Sequence, residues 1–180
     1  MLQTKQSNIR LTLFTFAVIV LTVFVGCSNS PLGTVATDNA PQLLQRSSAS
    51  MTGISLSPVN LHVDSVISAS LGGKLVLQDV ILDVPPNALK NDTLFSIDIP
   101  DINVFYNEFG TSGLVFDKPV KITMSYRDAD LSNVTESTIR IGWFNEKTGM
   151  FDDVICDIDY NNKTVTGEVY HFSAYALISD

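Results

Sequence analysis

The chain has 180 residues, 19 acidic against 11 basic side chains, a formal charge of −8 and 45% apolar residues. That length holds one domain with room for extensions, and two cysteines are too few for a disulfide-built scaffold. The acidic balance disfavours nucleic acid and anionic headgroups as partners, because it repels both.

In chain order, Lys5 and Arg10 are the only charges ahead of a charge-free run from Leu11 to Val25. A basic start followed by an apolar segment of this length reads as a secretory signal over residues 1–26, short for a membrane span. The run meets Gly26 and Cys27 in "FVGCSNS". This junction resembles the lipobox of bacterial lipoproteins, with Phe24 standing where that family prefers Leu or another aliphatic residue. The resemblance implies a diacylglycerol thioether on Cys27, cleavage before it and acylation of the new amino group. An ordinary signal peptide and an uncleaved anchor are the alternatives. Loss of residues 1–26 removes Lys5 and Arg10 and no acid, so the formal charge becomes −10. Membrane attachment is therefore expected through acyl chains, each buried methylene contributing about 0.8 kcal/mol. Ser28 replaces the aspartate that commonly retains such proteins at the inner membrane, which points to the outer membrane of a bacterial cell envelope.

With Cys27 lipidated, Cys156 has no intramolecular disulfide partner. Asn-x-Thr triplets begin at Asn91, Asn133 and Asn162 and are read as turn asparagines. Residues 27–60 are read as the lipidated cysteine and a flexible tether. Between Ser28 and Pro58 there are seven serines, three prolines and no aromatic residue, without a sustained period. A flexible chain of that length spans roughly 30 Å. Leu43 and Leu44 allow a transient helical turn or a docking contact, but the composition favours the plain tether, with a protease-resistant core starting near Leu61.

From Leu61 to Asp180 the pattern is period-two alternation broken by turn residues. "VKITMSY" sets Val120, Ile122, Met124 and Tyr126 on one face, and "STIRIGWF" sets Ile139, Ile141 and Trp143 on another. About eight strands are expected, near 61–70, 74–78, 80–84, 93–99, 116–126, 138–145, 150–159 and 164–178. The fold class is all-β, a single antiparallel β-sandwich large enough to bury a core without disulfides.

The last hairpin can be registered from its turn. Asn161 and Asn162 suit a two-residue turn. That places Tyr160 opposite Lys163, Ile158 opposite Val165, Cys156 opposite Gly167 and Val154 opposite Val169. Cys156 becomes a small core hydrophobe, roughly 13 Å from His171 at about 3.3 Å per residue, which excludes a cysteine–histidine dyad. Continued further, the register sets His171 across from Asp152, a carboxylate that would raise the histidine pKa.

Several of these segments, from about Gly72 to Ile178, carry a resemblance. "GGKLVLQDVILDVPPNALKNDTLFSI", "LVFDKPVKITMSY" and "HFSAYAL" together resemble the ZU-five domain of zonula occludens proteins, ankyrins and netrin receptors. The matched features are Gly72 and Gly73, then Pro85, Pro86, Asn87, Ala88 and Leu89. The two prolines withhold ladder donors and end a strand, Asn87 bends the chain, and Leu89 folds back under the sheet. The resemblance implies a protein-binding module. One branch of that family cuts itself at a His-Phe-Ser motif, the serine attacking the preceding carbonyl with the histidine as base, and His171, Phe172 and Ser173 match those positions. Cutting there would free only Ser173 to Asp180, so the stretch is read first as a strand and second as a self-processing site.

Other chemistry is sparse. His62 stands alone, without a paired-histidine zinc motif. Asp128 and Asp130, or Asp152, Asp153, Asp157 and Asp159, suggest calcium only weakly, since alternating aspartates on a strand usually form a solvated face. No segment resembles a phosphate-binding loop, and no cofactor is expected. Two function classes follow. The first is a non-enzymatic, lipid-anchored module binding an envelope protein or glycan, and the second is a module that cuts itself once between Phe172 and Ser173.

Overall fold

The computed structural model describes residues 41–48 and 61–180. The signal segment 1–26, Cys27 and the remainder of the tether lie outside them. Twelve strands form two antiparallel sheets packed as a sandwich: β1 Gln42–Leu43, β2 Leu61–Ile67, β3 Gly73–Leu77, β4 Val80–Val84, β5 Thr93–Ile99, β6 Tyr106–Gly110, β7 Val115–Ser125, β8 Arg140–Asn145, β9 Met150–Asp153, β10 Cys156–Asp159, β11 Thr164–His171 and β12 Ala174–Ser179. The larger sheet has the order β2-β5-β6-β12-β8-β9, with β1 beside β12, and the smaller has the order β10-β11-β7-β4-β3. The fold class is as the alternation predicts.

The alternating positions supply the core. Val120, Ile122 and Met124 of β7 meet Phe95 and Ile97 of β5 and Ile141 of β8 in one cluster, all fully buried. Several turns obey the local chemistry. At Gly72 the backbone is left-handed (φ 71°), and a Cβ would overlap the Val84 carbonyl oxygen, so only glycine fits there. Asn87 bends the chain with φ 61° and donates its N–H to the Ala69 carbonyl at 2.8 Å. Ala88 and Leu89 are buried behind it. The Gly-Gly and Pro-Pro turns are thus packed on one another. Asn91, Asn133 and Asn162 all lie in turns or bends.

Four strands separate this structure from the eight-strand expectation. β6 lies in a stretch where the sequence predicts no strand, and β1 lies in the predicted tether. The segments 150–159 and 164–178 each divide in two, because the chain passes from one sheet to the other at 154–155 and again at 172–173. The register of β10 and β11 holds at Cys156–Gly167 and Ile158–Val165. Its turn is longer than the two-residue form: the ladder closes at Asp159–Thr164, the Asp159 carboxylate accepts the Asn161 and Asn162 N–H groups, and Lys163, not an asparagine, is left-handed.

The largest correction concerns residues 41–48. Gln42 pairs with Ser179 and Leu43 with Ile178, just past the stretch of β12 that pairs with β6. The Leu44 N–H donates to the Leu177 carbonyl at 2.9 Å, and the Leu44 side chain is 1% exposed. Arg46 and Ser47 continue onto Asn103 and Asp128 by backbone hydrogen bonds of 2.8 Å. The Arg46 guanidinium packs 4.0 Å from the Phe105 ring and binds both oxygens of Asp79, at 2.8 and 3.0 Å. Asp79 sits in the turn between β3 and β4, so this strap joins the two sheets across one end of the sandwich. Of the options open at Leu43 and Leu44, the docking contact is the one found. The plain-tether reading fails for this stretch, because a buried leucine and a mostly buried ion pair hold it.

Candidate functional site: the His-Phe-Ser crossing

His171 ends β11 in the smaller sheet, and Ala174 begins β12 in the larger one. Phe172 and Ser173 carry the chain between the sheets. The crossing is anchored by its aromatic ring. Phe172 is 2% exposed and meets Phe95 edge-on at 4.5 Å, Phe116 at 4.8 Å and Phe109 at 5.9 Å between ring centres. Its N–H donates to the Leu114 carbonyl at 2.9 Å, and its carbonyl accepts the Gly113 N–H at 3.4 Å.

The two polar residues on either side face different surroundings. The imidazole of His171 lies 4.8 Å from the Trp143 ring, and its Nδ1 is 3.5 Å from the Tyr175 hydroxyl. That hydroxyl donates to the His171 carbonyl at 2.8 Å, and burial pushes its pKa well above the ordinary value. Ser173 opens instead on a hollow of about 340 Å³ lined by Ser96, Asp98, Glu108 and Glu146. Among the described residues its hydroxyl has no hydrogen-bond partner. A serine nucleophile needs its base within about 3 Å, and in this arrangement the imidazole is directed to Tyr175 and Trp143.

Asp152 is not the partner of His171. β9 pairs with β8, placing Asp152 opposite Trp143 with its carboxylate accepting from Asn145 at 2.8 Å. Across from His171 stands Val115 of β7. The hairpin extrapolation fails because the chain leaves the smaller sheet at 154–155, before the register reaches His171. A histidine does stand beside carboxylates elsewhere. His62 on β2, expected to be isolated, has Nδ1 2.6 Å from Asp98 and Nε2 3.6 Å from Asp64. The hydrogen bond to Asp98 is the largest cause holding its pKa above the usual imidazole value. A raised histidine pKa favours the fold below about pH 6.5 and ceases to do so as pH rises through the folded value. The pair is exposed, so solvent screens the effect.

Three of the remaining aspartates have structural partners. Asp130 accepts the Ser132 N–H, Asp153 pairs with Arg140 at 2.7 Å, and Asp159 caps its turn. Asp128 lines a separate groove, and Asp157 is exposed on the edge strand β10. No three His, Cys, Asp or Glu side chains among the described residues are grouped to hold a metal ion. Cys156 is half-buried against the core, with its thiol pKa pushed up chiefly by burial, as expected of a small hydrophobe.

The groove beside Asp128 was not foreseen. It has a volume of about 480 Å³ and is lined by Arg46, Asp79, Arg127, Asn162 and Thr164 over apolar Val76 and Ile81. Only long-range pairing brings these residues together, so no local motif announces them. No family model matches this chain, and no curated protein does either.

Proposed function

We propose that this is a lipid-anchored protein of the bacterial cell envelope whose β-sandwich is a non-enzymatic module for binding a protein or a glycan. The observation that carries the reading is the Gly26–Cys27 junction at the end of a charge-free run. The chain has a formal charge of −10 once residues 1–26 are gone, so acyl chains on Cys27, not headgroup attraction, hold it to the membrane. The ZU-five resemblance supports the binding role.

Two surfaces support binding as well. The groove of about 480 Å³ offers charged, amide and hydroxyl groups over an apolar floor, within the usual range of ligand-sized clefts of roughly 300–1,000 Å³. On the larger sheet, exposed Val66 and Leu94 face each other across β2 and β5, with Leu71 exposed on the turn that follows β2.

The anchor is tested by Cys27→Ser. The variant is expected to accumulate as a precursor that takes up no labelled fatty acid. Maturation of the variant to wild-type size would show that an ordinary peptidase processes the chain and would sink the lipoprotein reading.

The second reading, one cut between Phe172 and Ser173, is favoured by a Ser173 hydroxyl that has no hydrogen-bond partner among the described residues and opposed by the imidazole's engagement with Tyr175. The mass of the mature chain separates the two readings.

A further inference from the structure

We infer that the strap sets which end of the sandwich faces the bilayer. The inference rests on the lipid-anchor reading and goes beyond it. β1 runs antiparallel to β12, with Gln42 beside Ser179, so the chain arrives from the N-terminus at the end of the sandwich where β12 finishes. The other strands define what shares that end. β2 and β8 start there, at Leu61 and Arg140, and β5 and β7 finish there, at Ile99 and Ser125. The turn at Gln78–Asp79 and the loops 100–105, 126–139 and 160–163 complete it. At the opposite end lie the turns 69–72, 85–92 and 111–114 and the His-Phe-Ser crossing.

Chain length makes this polarity matter. Were the sandwich attached only at Leu61, 34 residues would separate it from Cys27, reaching up to about 120 Å at roughly 3.5 Å per residue. Either end could then face the membrane. Because the strap is docked, only 14 residues run from Cys27 to Pro41, with a limit of about 50 Å. β7 has 11 residues, so the sandwich is roughly 36 Å long at about 3.3 Å per residue. To bring the far end to the bilayer, the 14 residues would have to lie nearly taut along the flank. The strap end therefore faces the membrane, and the His-Phe-Ser end faces away. Acidic side chains, among them Asp101, Asp128, Asp130 and Asp159, outnumber Arg127, Arg140 and Lys163 at the strap end, so its net charge is negative and it stands off an anionic surface rather than lying on it.

The test uses the full lipidated chain in vesicles containing a paramagnetic quencher lipid. A fluorophore is placed through Ser137→Cys at the strap end or Asn91→Cys at the far end, both exposed positions, in a Cys156→Ala background. Quenching at position 137 is expected to exceed that at position 91 several-fold. Inserting about twenty Gly-Ser residues between Asp38 and Asn39 leaves the strap docked and should level the two. Leu44→Asp, which charges a buried position, should level them by releasing the strap. The insertion guards against misfolding of the Leu44 variant. Equal quenching in an acylated, membrane-bound chain overturns the orientation alone, as does a difference that survives the insertion. A chain without acyl mass removes the anchor, and the orientation falls with it.

Discussion

Phe172→Ala will destabilise the sandwich by about 3–5 kcal/mol, the usual cost of emptying a buried aromatic site. The ring is 2% exposed and meets Phe95, Phe109 and Phe116, drawn from β5, β6 and β7 of both sheets. No single neighbour can collapse into the space without leaving another gap, which puts the cost well above that of a peripheral deletion. Ser173→Ala removes a hydroxyl without a partner among the described residues and should shift stability by less than about 0.5 kcal/mol. Urea denaturation of the unlipidated chain measures both. A Phe172→Ala loss below about 1 kcal/mol would mean that the crossing is not packed as described.

The second large effect belongs to the strap. Arg46→Ala leaves Asp79 without its cationic partner, whose one Nη2 reaches both carboxylate oxygens, in a site where the two side chains are 10% and 15% exposed. Breaking a buried pair from one side costs about 3–5 kcal/mol, and the residual exposure places this one near the lower end. The pH dependence carries the diagnosis. Burial already raises the Asp79 pKa, with Arg46 as the main opposing influence. A carboxyl whose folded pKa is raised binds more protons folded than unfolded, so stability falls as pH climbs from the unfolded value through the folded one. Without Arg46 that fall steepens. The variant should therefore be far less stable than wild type at pH 7 and closer to it near pH 4. A deficit that does not change with pH would place the loss in packing against Phe105 instead.

The two variants also mark what the sequence made legible. Strands with clean alternation, such as 120–126, are legible directly, and the turn residues alone put Cys156 and Ile158 opposite Gly167 and Val165. β6 was hidden because Asn107 occupies an inward position, buried at 2% and donating to the Met124 sulfur at 3.6 Å. A polar residue facing the core erases the period that reveals a strand. β1 was hidden for another reason. Two residues carry no period, and the pairing of Gln42 with Ser179 joins opposite ends of the domain. The sheet changes at 154–155 and 172–173 carry no glycine or proline, so local turn chemistry gave no signal there. They were also what misplaced His171, since an extrapolated register is only as good as the continuity of the strand.

The candidate site followed the same division. His171, Phe172 and Ser173 could be singled out as a tripeptide, but whether imidazole and hydroxyl share a surface depends on Tyr175, Trp143 and the larger sheet. The Arg46–Asp79 pair and the His62–Asp98 contact span 33 and 36 positions of sequence, and neither residue type is unusual in its own segment.

The central claim is a lipid-anchored, uncut binding module, and the mass of the mature protein extracted from membranes tests it most directly. Denaturing mass spectrometry should find a chain that begins at Cys27, carries the added mass of a diacylglycerol and a further acyl group, and retains the segment from Ser173 to Asp180. A chain beginning elsewhere or lacking acyl mass would contradict the anchor. Loss of Ser173 to Asp180 would contradict the uncut sandwich and establish self-processing in its place.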